Sequence, residues 1–346
     1  MLKNYINYKN DLSFYTLVFL SSFFLTLMLG KVLIYFFKKN NFFQSIRNLG
    51  LKSTKKKKYT PTMGGFIFLI PIIVSLFIWI NKNSKIFYLI LFSIIGFSLI
   101  GFIDDYKKIT NKKKGLNCFY KYIFLSIISS FIVIIIYKIY GKHFFYRTIL
   151  PSLRSKVFLN GKYLCLILSY FTIVGMSNAI NLTDGLDGLV SLPIIFIYIF
   201  FFVTSFMYFN NFIELKINNL NIECYREIMV ISLIIIGSIL GFIWFNFYPA
   251  KIFMGDLGSL SIGGCTGVIS VILRHEIFLL IVGGLFFIET LSVIVQVFFF
   301  KIFKKRVFLI APIHHHYEKK LFFETTIVIR AWIISLIFLI LCINFL

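Results

Sequence analysis

Residues 86–105 read IFYLILFSIIGFSLIGFIDD, an uncharged run that ends on two adjacent aspartates, Asp104 and Asp105. A hydrocarbon core about 30 Å thick takes about 20 apolar residues to cross as a helix. The run therefore reads as a membrane span, and the aspartate pair marks where it meets water. Carboxylates at such an edge are costly unless water, a metal or basic groups compensate them.

The same criterion gives about ten spans along the chain, near residues 14–37, 64–80, 86–103, 120–140, 164–180, 189–209, 228–245, 259–273, 277–300 and 327–346. The run 259–273 is glycine-rich and is cut off by Arg274-His275-Glu276. The expected fold is all-α, a polytopic membrane helix bundle forming one domain over residues 1–346. Composition agrees: 59% of the 346 residues are hydrophobic, 14% are charged and the mean hydropathy is +0.89, against about 25% charged in a soluble domain. The first run is too long for the apolar core of a signal peptide and no cleavage site follows it, so it reads as a retained span. Five scattered cysteines without paired or Cys/His spacing support neither a disulfide framework nor a zinc site.

A net charge of +23 raises nucleic acid as a partner. Most of the Lys and Arg, however, lie in short runs between spans, where positive loops set topology and meet anionic headgroups. No nucleic-acid partner is expected. The clusters Lys55–Lys58, Lys112–Lys114 and Lys304-Lys305-Arg306 fall on alternate loops. The positive-inside rule makes those loops cytoplasmic and puts both termini outside. Five basic residues between the fourth and fifth spans argue mildly the other way.

The polar motifs all fall on the same alternate loops. In GFIDDYKK (101–108) the paired carboxylates suit a general base or a metal-proximal pair, with Lys108 neutralising phosphate; a solvated helix cap is the plain alternative. In NAINLTDGLDG (178–188), Asn178, Asn181, Asp184 and Asp187 recur every three residues. A helix would carry them along one facet, drifting about 60° per step; an Asp/Asn/Gly turn is the competing reading. In WFNFYPAKIFMGDLGSL (244–260), Asp256 sits between Gly255 and Gly258, suited to Mg²⁺ held by one or two carboxylates plus substrate phosphate. Asn246 offers an amide nearby, and Phe253 either stacks on a base or anchors at the interface.

In APIHHHYEKK (311–320), His314, His315 and His316 do not share a helical face, but in a turning loop they can donate to phosphate oxygens. His143 and His275 fall on the opposite face and read as structural. In KKYTPTMGG (57–65), the threonines, proline and glycines read as a cap entering the second span, and Lys57 is either a topology signal or a phosphate ligand. Carboxylates, amides, imidazoles and lysines gathered on one membrane face suit phosphoryl transfer, in which positioning and charge neutralisation do most of the catalysis. A transporter would instead place polar groups near the bilayer midplane on broken helices.

GFIDDYKK, NAINLTDGLDGL, WFNFYPAKIFMGDLGSL and KRVFLIAPIHHHYE together resemble the phospho-N-acetylmuramoyl-pentapeptide-transferase family, within the polyprenyl-phosphate N-acetylhexosamine-1-phosphate transferase superfamily. The resemblance runs from TPTMGG to the last span, IVIRAWIISL. It implies transfer of phospho-MurNAc-pentapeptide from UDP-MurNAc-pentapeptide to undecaprenyl phosphate, giving lipid I and UMP with Mg²⁺, at the cytoplasmic face of a bacterial inner membrane. A sister transferase using UDP-GlcNAc would share the aspartates.

By motif, the resemblance makes Asp256 the magnesium ligand, Asp104 the base towards the lipid phosphate, and Asp105 a support for the cation or substrate. Asn178, Asn181, Asp184, Asp187 and Asn246 would shape the nucleotide pocket, with Phe253 on uracil. Lys57, Lys108 and Lys121 would neutralise phosphates, and the three histidines would complete the diphosphate and sugar side. It also implies a homodimer and a broken ninth span lining a lipid groove. That span carries Glu289, whose plain reading is a buried hydrogen-bonding group between helices. The family has His where this chain has Thr54 and Gly where it has Tyr59, both close to Lys57. Direct in-line displacement and a covalent aspartyl-phosphate route both remain open for these carboxylates.

Overall fold

The glycine-rich run becomes the centre of the molecule. A computed structural model describes residues 11–43, 60–110, 115–151, 157–210 and 222–346. Its helices are α1 (Asp11–Lys39), α2 (Gly65–Trp79), α3 (Lys85–Thr110), α4 (Cys118–Tyr140), α5 (Lys162–Thr183), α6 (Ser191–Phe209), α7 (Ile222–Asn246), α8 (Gly255–Leu273), α9 (Glu276–Val282), α10 (Gly284–Phe303), α11 (Ile313–Lys319) and α12 (Glu324–Asn344). Among the described residues nine of these are long and apolar enough to cross a membrane, and α2 is a shorter apolar helix. The chain is a multi-pass membrane protein.

Helix α8 is buried along nearly its whole length. Apolar helices in lipid gain little from burying greasy surface, so close packing at small residues holds them together. A Cβ on Gly264 would stand 2.2 Å from the Phe97 ring of α3, and one on Gly263 would stand 2.8 Å from the Met176 carbonyl of α5. Ser177 of α5 donates to the Leu260 carbonyl at 3.0 Å. These contacts fix α8 between α3 and α5, the two helices that carry the aspartate motifs.

The ninth predicted run is two helices, broken at Gly283. Most side chains of α10 face outward. A two-stranded antiparallel hairpin, β1 (Arg147–Leu150) with β2 (Val157–Asn160), lies between α4 and α5, where an all-α reading had no strand. Its Thr148 hydroxyl donates to Glu276, and the Ile149 amide donates to the Arg274 carbonyl at 3.3 Å. Arg274 pairs with Glu276 at 2.6 Å, both fully buried. His275 Nε2 meets the Tyr208 hydroxyl at 3.1 Å, so this histidine is a buried structural group. Asp256 lies at the other end of α8, about 28 Å away at 1.5 Å per residue.

Candidate functional site

Gly101 lets α3 pass directly over the start of α8: a Cβ there would stand 2.3 Å from the Asp256 carbonyl. One turn further, Asp104, Asp105 and Lys108 reach the same point as Asp256. Lys108 Nζ lies 2.8 Å from Asp104 Oδ2, 2.9 Å from Asp256 Oδ1 and 3.6 Å from Asp105 Oδ1. Lys121, from the first turn of α4, donates to Asp256 Oδ2 at 2.5 Å and to Asn181 Oδ1 at 3.3 Å, and lies 3.5 Å from Asp104 Oδ2. Asn181 in turn donates to Ser259 Oγ at 2.8 Å. Four helices thus meet in one network of three carboxylates and two ammonium groups.

The two adjacent aspartates are held differently. Asp104 Oδ1 accepts the Leu116 amide at 2.5 Å, so its carboxylate also anchors the start of the α4 segment. Asp105 Oδ2 accepts the Leu257 amide at 3.1 Å, while its buried Oδ1 has no hydrogen-bond partner among the described residues. Gly255 (φ 74°) passes beside it, in a backbone conformation that favours glycine.

The TPTMGG segment does not cap the second span with a side chain: the N-cap is Gly64, without a side-chain bond. It pairs instead with the backbone ahead of Asp256. Phe253 N donates to Pro61 O at 2.9 Å, Gly64 N to Phe253 O at 2.8 Å and Gly65 N to Met254 O at 2.8 Å. Phe253 is half-buried in this strap. Lys57, Thr54 and Tyr59 lie outside the described residues.

The NAINLTDGLDG segment is not a single helical facet. Helix α5 stops at Thr183, Asp184 is its C-cap, and a turn follows. Asn178 spends its amide on the Val174 carbonyl of its own helix at 3.0 Å and is not brought into the network of lysines and carboxylates. Asp187 Oδ2 accepts the Ala250 amide at 3.0 Å, and its own amide donates to Glu324 at 2.8 Å. Asn246 accepts from Gly188 N at 3.1 Å and donates to Ile252 O at 2.9 Å. Asn246 and Asp187 therefore staple two loops together. Asp184 is half-buried, and burial pushes its carboxyl up to about 8, reinforced by the charges of Asp256, Asp105 and Asp187 and opposed by Lys108.

The three histidines lie on a short helix, α11, rather than in a turning loop, and they diverge. His315 Nδ1 is 3.0 Å from Glu318, and His316 Nδ1 accepts the Leu309 amide at 3.1 Å. His314 alone is fully turned inward: its Nδ1 lies 3.0 Å from Glu289 Oε2 of α10, and its Nε2 faces Gly185. Glu289 is thus a buried hydrogen-bonding group between helices.

The model of Glycosyl transferase family 4 matches residues 86–274. A phospho-N-acetylmuramoyl-pentapeptide-transferase of Buchnera aphidicola subsp. Baizongia pistaciae is 48% identical over 328 residues, covering 94% of this chain and 96% of the relative. The chain belongs to the phospho-N-acetylmuramoyl-pentapeptide-transferase family. A member from Buchnera aphidicola subsp. Acyrthosiphon pisum (strain 5A) is 44% identical, covering 93% of this chain and 90% of the relative. One from Blochmanniella floridana is 42% identical, covering 93% and 88%.

This phospho-N-acetylmuramoyl-pentapeptide-transferase family member also uses residues that sequence reasoning passed over. Ser259 holds Asn181, Glu324 holds the Asp187 amide, and Trp332 donates to the Gly188 carbonyl at 3.2 Å. Ser259 stood in a quoted motif, but a lone serine in a glycine-rich run carries no signal of its own. Glu324 had one available cue, an acid at the edge of the last span.

Proposed function

We propose that this chain moves phospho-MurNAc-pentapeptide from UDP-MurNAc-pentapeptide to undecaprenyl phosphate, giving lipid I and UMP, at the cytoplasmic face of the membrane. The observation that carries the reading is that Lys108 and Lys121 each span Asp256 and Asp104, where four helices meet at one end of α8. The relatives' names supply the substrate class, and the lysines supply the charge that a diphosphate needs.

Three carboxylates outnumber two ammonium groups here, so a diphosphate enters favourably only with a further cation. Hard carboxylate oxygens suit Mg²⁺, which takes one or two protein carboxylates plus substrate oxygens. The donor chemistry suits that group: Asp105 Oδ1 is a buried carboxylate oxygen with no hydrogen-bond partner among the described residues, 3.6 Å from Lys108, in one network with Asp104 and Asp256. Asp256 would hold the ion with Asp105 in support, and bound Mg²⁺ would add positive charge beside the leaving phosphate.

The chain's own residues position the displacement. An oxygen of the lipid phosphate attacks the sugar-bearing phosphorus in line, its P–O bond forms, and the P–O bond to UMP breaks. A proton on the attacking phosphate passes to Asp104, while Lys108 and Lys121 face the phosphate charge. Asn181, Asp184, Asp187, Asn246 and Phe253 form the nucleotide side.

Purified full-length protein in detergent with Mg²⁺ should release UMP from UDP-MurNAc-pentapeptide only when undecaprenyl phosphate is present. Turnover of UDP-GlcNAc in its place would assign the sister reaction. Phosphate label trapped on the enzyme before lipid is added would overturn direct displacement.

A further inference from the structure

His314 is buried, yet its two ring nitrogens have unlike surroundings. Nδ1 lies 3.0 Å from Glu289 Oε2, and the same oxygen receives the His314 backbone amide at 3.4 Å. Nε2 is buried with no hydrogen-bond partner among the described residues. What it meets is Gly185, where a built Cβ would stand only 2.3 Å from Nε2. A carboxylate accepts only, so Nδ1 carries the proton and Nε2 presents its lone pair. A proton on Nε2 would be a buried donor with nothing to receive it, a cost of about 1–3 kcal/mol. Burial also holds the imidazole below its ordinary range, favouring the neutral ring.

We propose that Glu289 is a positioning residue: it fixes His314 as the neutral Nδ1–H tautomer, and the ring so held is the floor on which the Asp184–Gly185 turn rests. The line of contact runs from α10 through α11 to the residue after Asp184, which is why position 185 has room for glycine alone. His314 then supports the nucleotide side by packing, and it does not donate to phosphate. His315 and His316 do not share this task, because their Nδ1 atoms are engaged with Glu318 and Leu309 on their own side of the helix. The inference rests on the nucleotide-sugar reading of the Asp184 turn.

The test compares E289Q, whose amide oxygen still accepts from Nδ1–H, with E289M, which keeps the bulk and loses the acceptor. UMP release by the full chain is measured while each substrate is varied separately. E289M should raise the KM for the nucleotide sugar about tenfold or more, the size of one lost charge-assisted hydrogen bond, and leave the KM for the lipid phosphate unchanged. E289Q should recover most of that loss. G185A should give the same KM pattern, and the E289M/G185A double variant should be no worse than the poorer single. Wild-type kinetics in E289M, a shift in the lipid KM instead, or losses that multiply in the double variant would overturn the proposal.

Nitrogen-15 spectra of histidine-labelled protein, with His314 identified through H314Q, provide a readout independent of activity. They should show a protonated Nδ1 on His314, and a protonated Nε2 would overturn the assignment even if E289M does not fold. Absence of UMP release from the wild type under all conditions would sink the functional reading alone, since the spectrum would still report on the Glu289–His314 pair.

Discussion

Lys121 Nζ lies 2.5 Å from Asp256 Oδ2, although the two residues are 135 positions apart in sequence. The ammonium comes from the first turn of α4 and the carboxylate from the first turn of α8, so the contact exists only when α4 is packed beside α8. Because Lys121 also reaches Asp104 and Asn181, its removal uncovers repelling carboxylates as well as removing one positive charge. K121M should lower kcat for UMP release on the order of a hundredfold or more, the size seen for lost electrostatic stabilisation at reacting groups. Its effect should be strongly non-additive with D256N, because the two side chains act as a unit. Independent, multiplying losses would show that they do not.

The magnesium assignment has a readout that does not depend on turnover. A ligand that binds the folded state raises apparent stability by mass action. Adding MgCl₂ should raise the melting temperature of the wild type, and D256N should show a clearly smaller rise while remaining folded. An equal rise in both proteins would remove Asp256 from the cation site.

Asp184 gives a pH dependence with a definite sign. Its carboxyl is raised from 3.8 to about 8 in the folded protein by burial and by neighbouring carboxylates, Asp256 first. Between those values the folded state holds a proton that the unfolded state has lost, so stability falls as pH rises. The contribution is fully present below about pH 4 and is lost as pH passes about 8. D184N mimics the protonated form and should flatten that slope. Melting curves at pH 5 and pH 8.5 should therefore show the wild type losing ground to D184N at the higher pH. A constant gap would mean that Asp184 is ionised throughout.

Much of this site was legible from residue type and spacing. Membrane-length runs gave the helices, and loop parity placed the polar motifs together. What spacing does not carry is how a side chain spends its bonds. Asn178 and Asn181 sit one helical turn apart, yet one binds its own helix and the other meets Lys121. The three histidines look equivalent in sequence, but only His314 faces Gly185. Glycines weaken the apolar signal of helix α8 in the sequence, whereas in lipid those same glycines let helices approach closely enough to make it the core. The β1–β2 hairpin is not legible in the sequence, because strands of four residues carry too little periodicity to register.

The buried Arg274–Glu276 pair separates stability from chemistry, because it lies at the opposite end of α8 from Asp256. Arg274 Nη1 reaches Glu276 at 2.6 Å and Ser169 at 3.1 Å, and Glu276 also accepts from Ser169 at 2.9 Å and from Thr148. Removing one partner leaves an uncompensated buried charge, at a cost of about 3–5 kcal/mol, whereas replacing both with apolar residues is often close to neutral. E276L should therefore unfold at a markedly lower temperature than the wild type, and R274M/E276L should recover part of the loss. Below its melting range, the KM of folded E276L for either substrate should match the wild type, since no side chain of this cluster touches the lysine–carboxylate network. A selective rise in KM with unchanged melting would instead tie the hairpin end of the molecule to the reacting end.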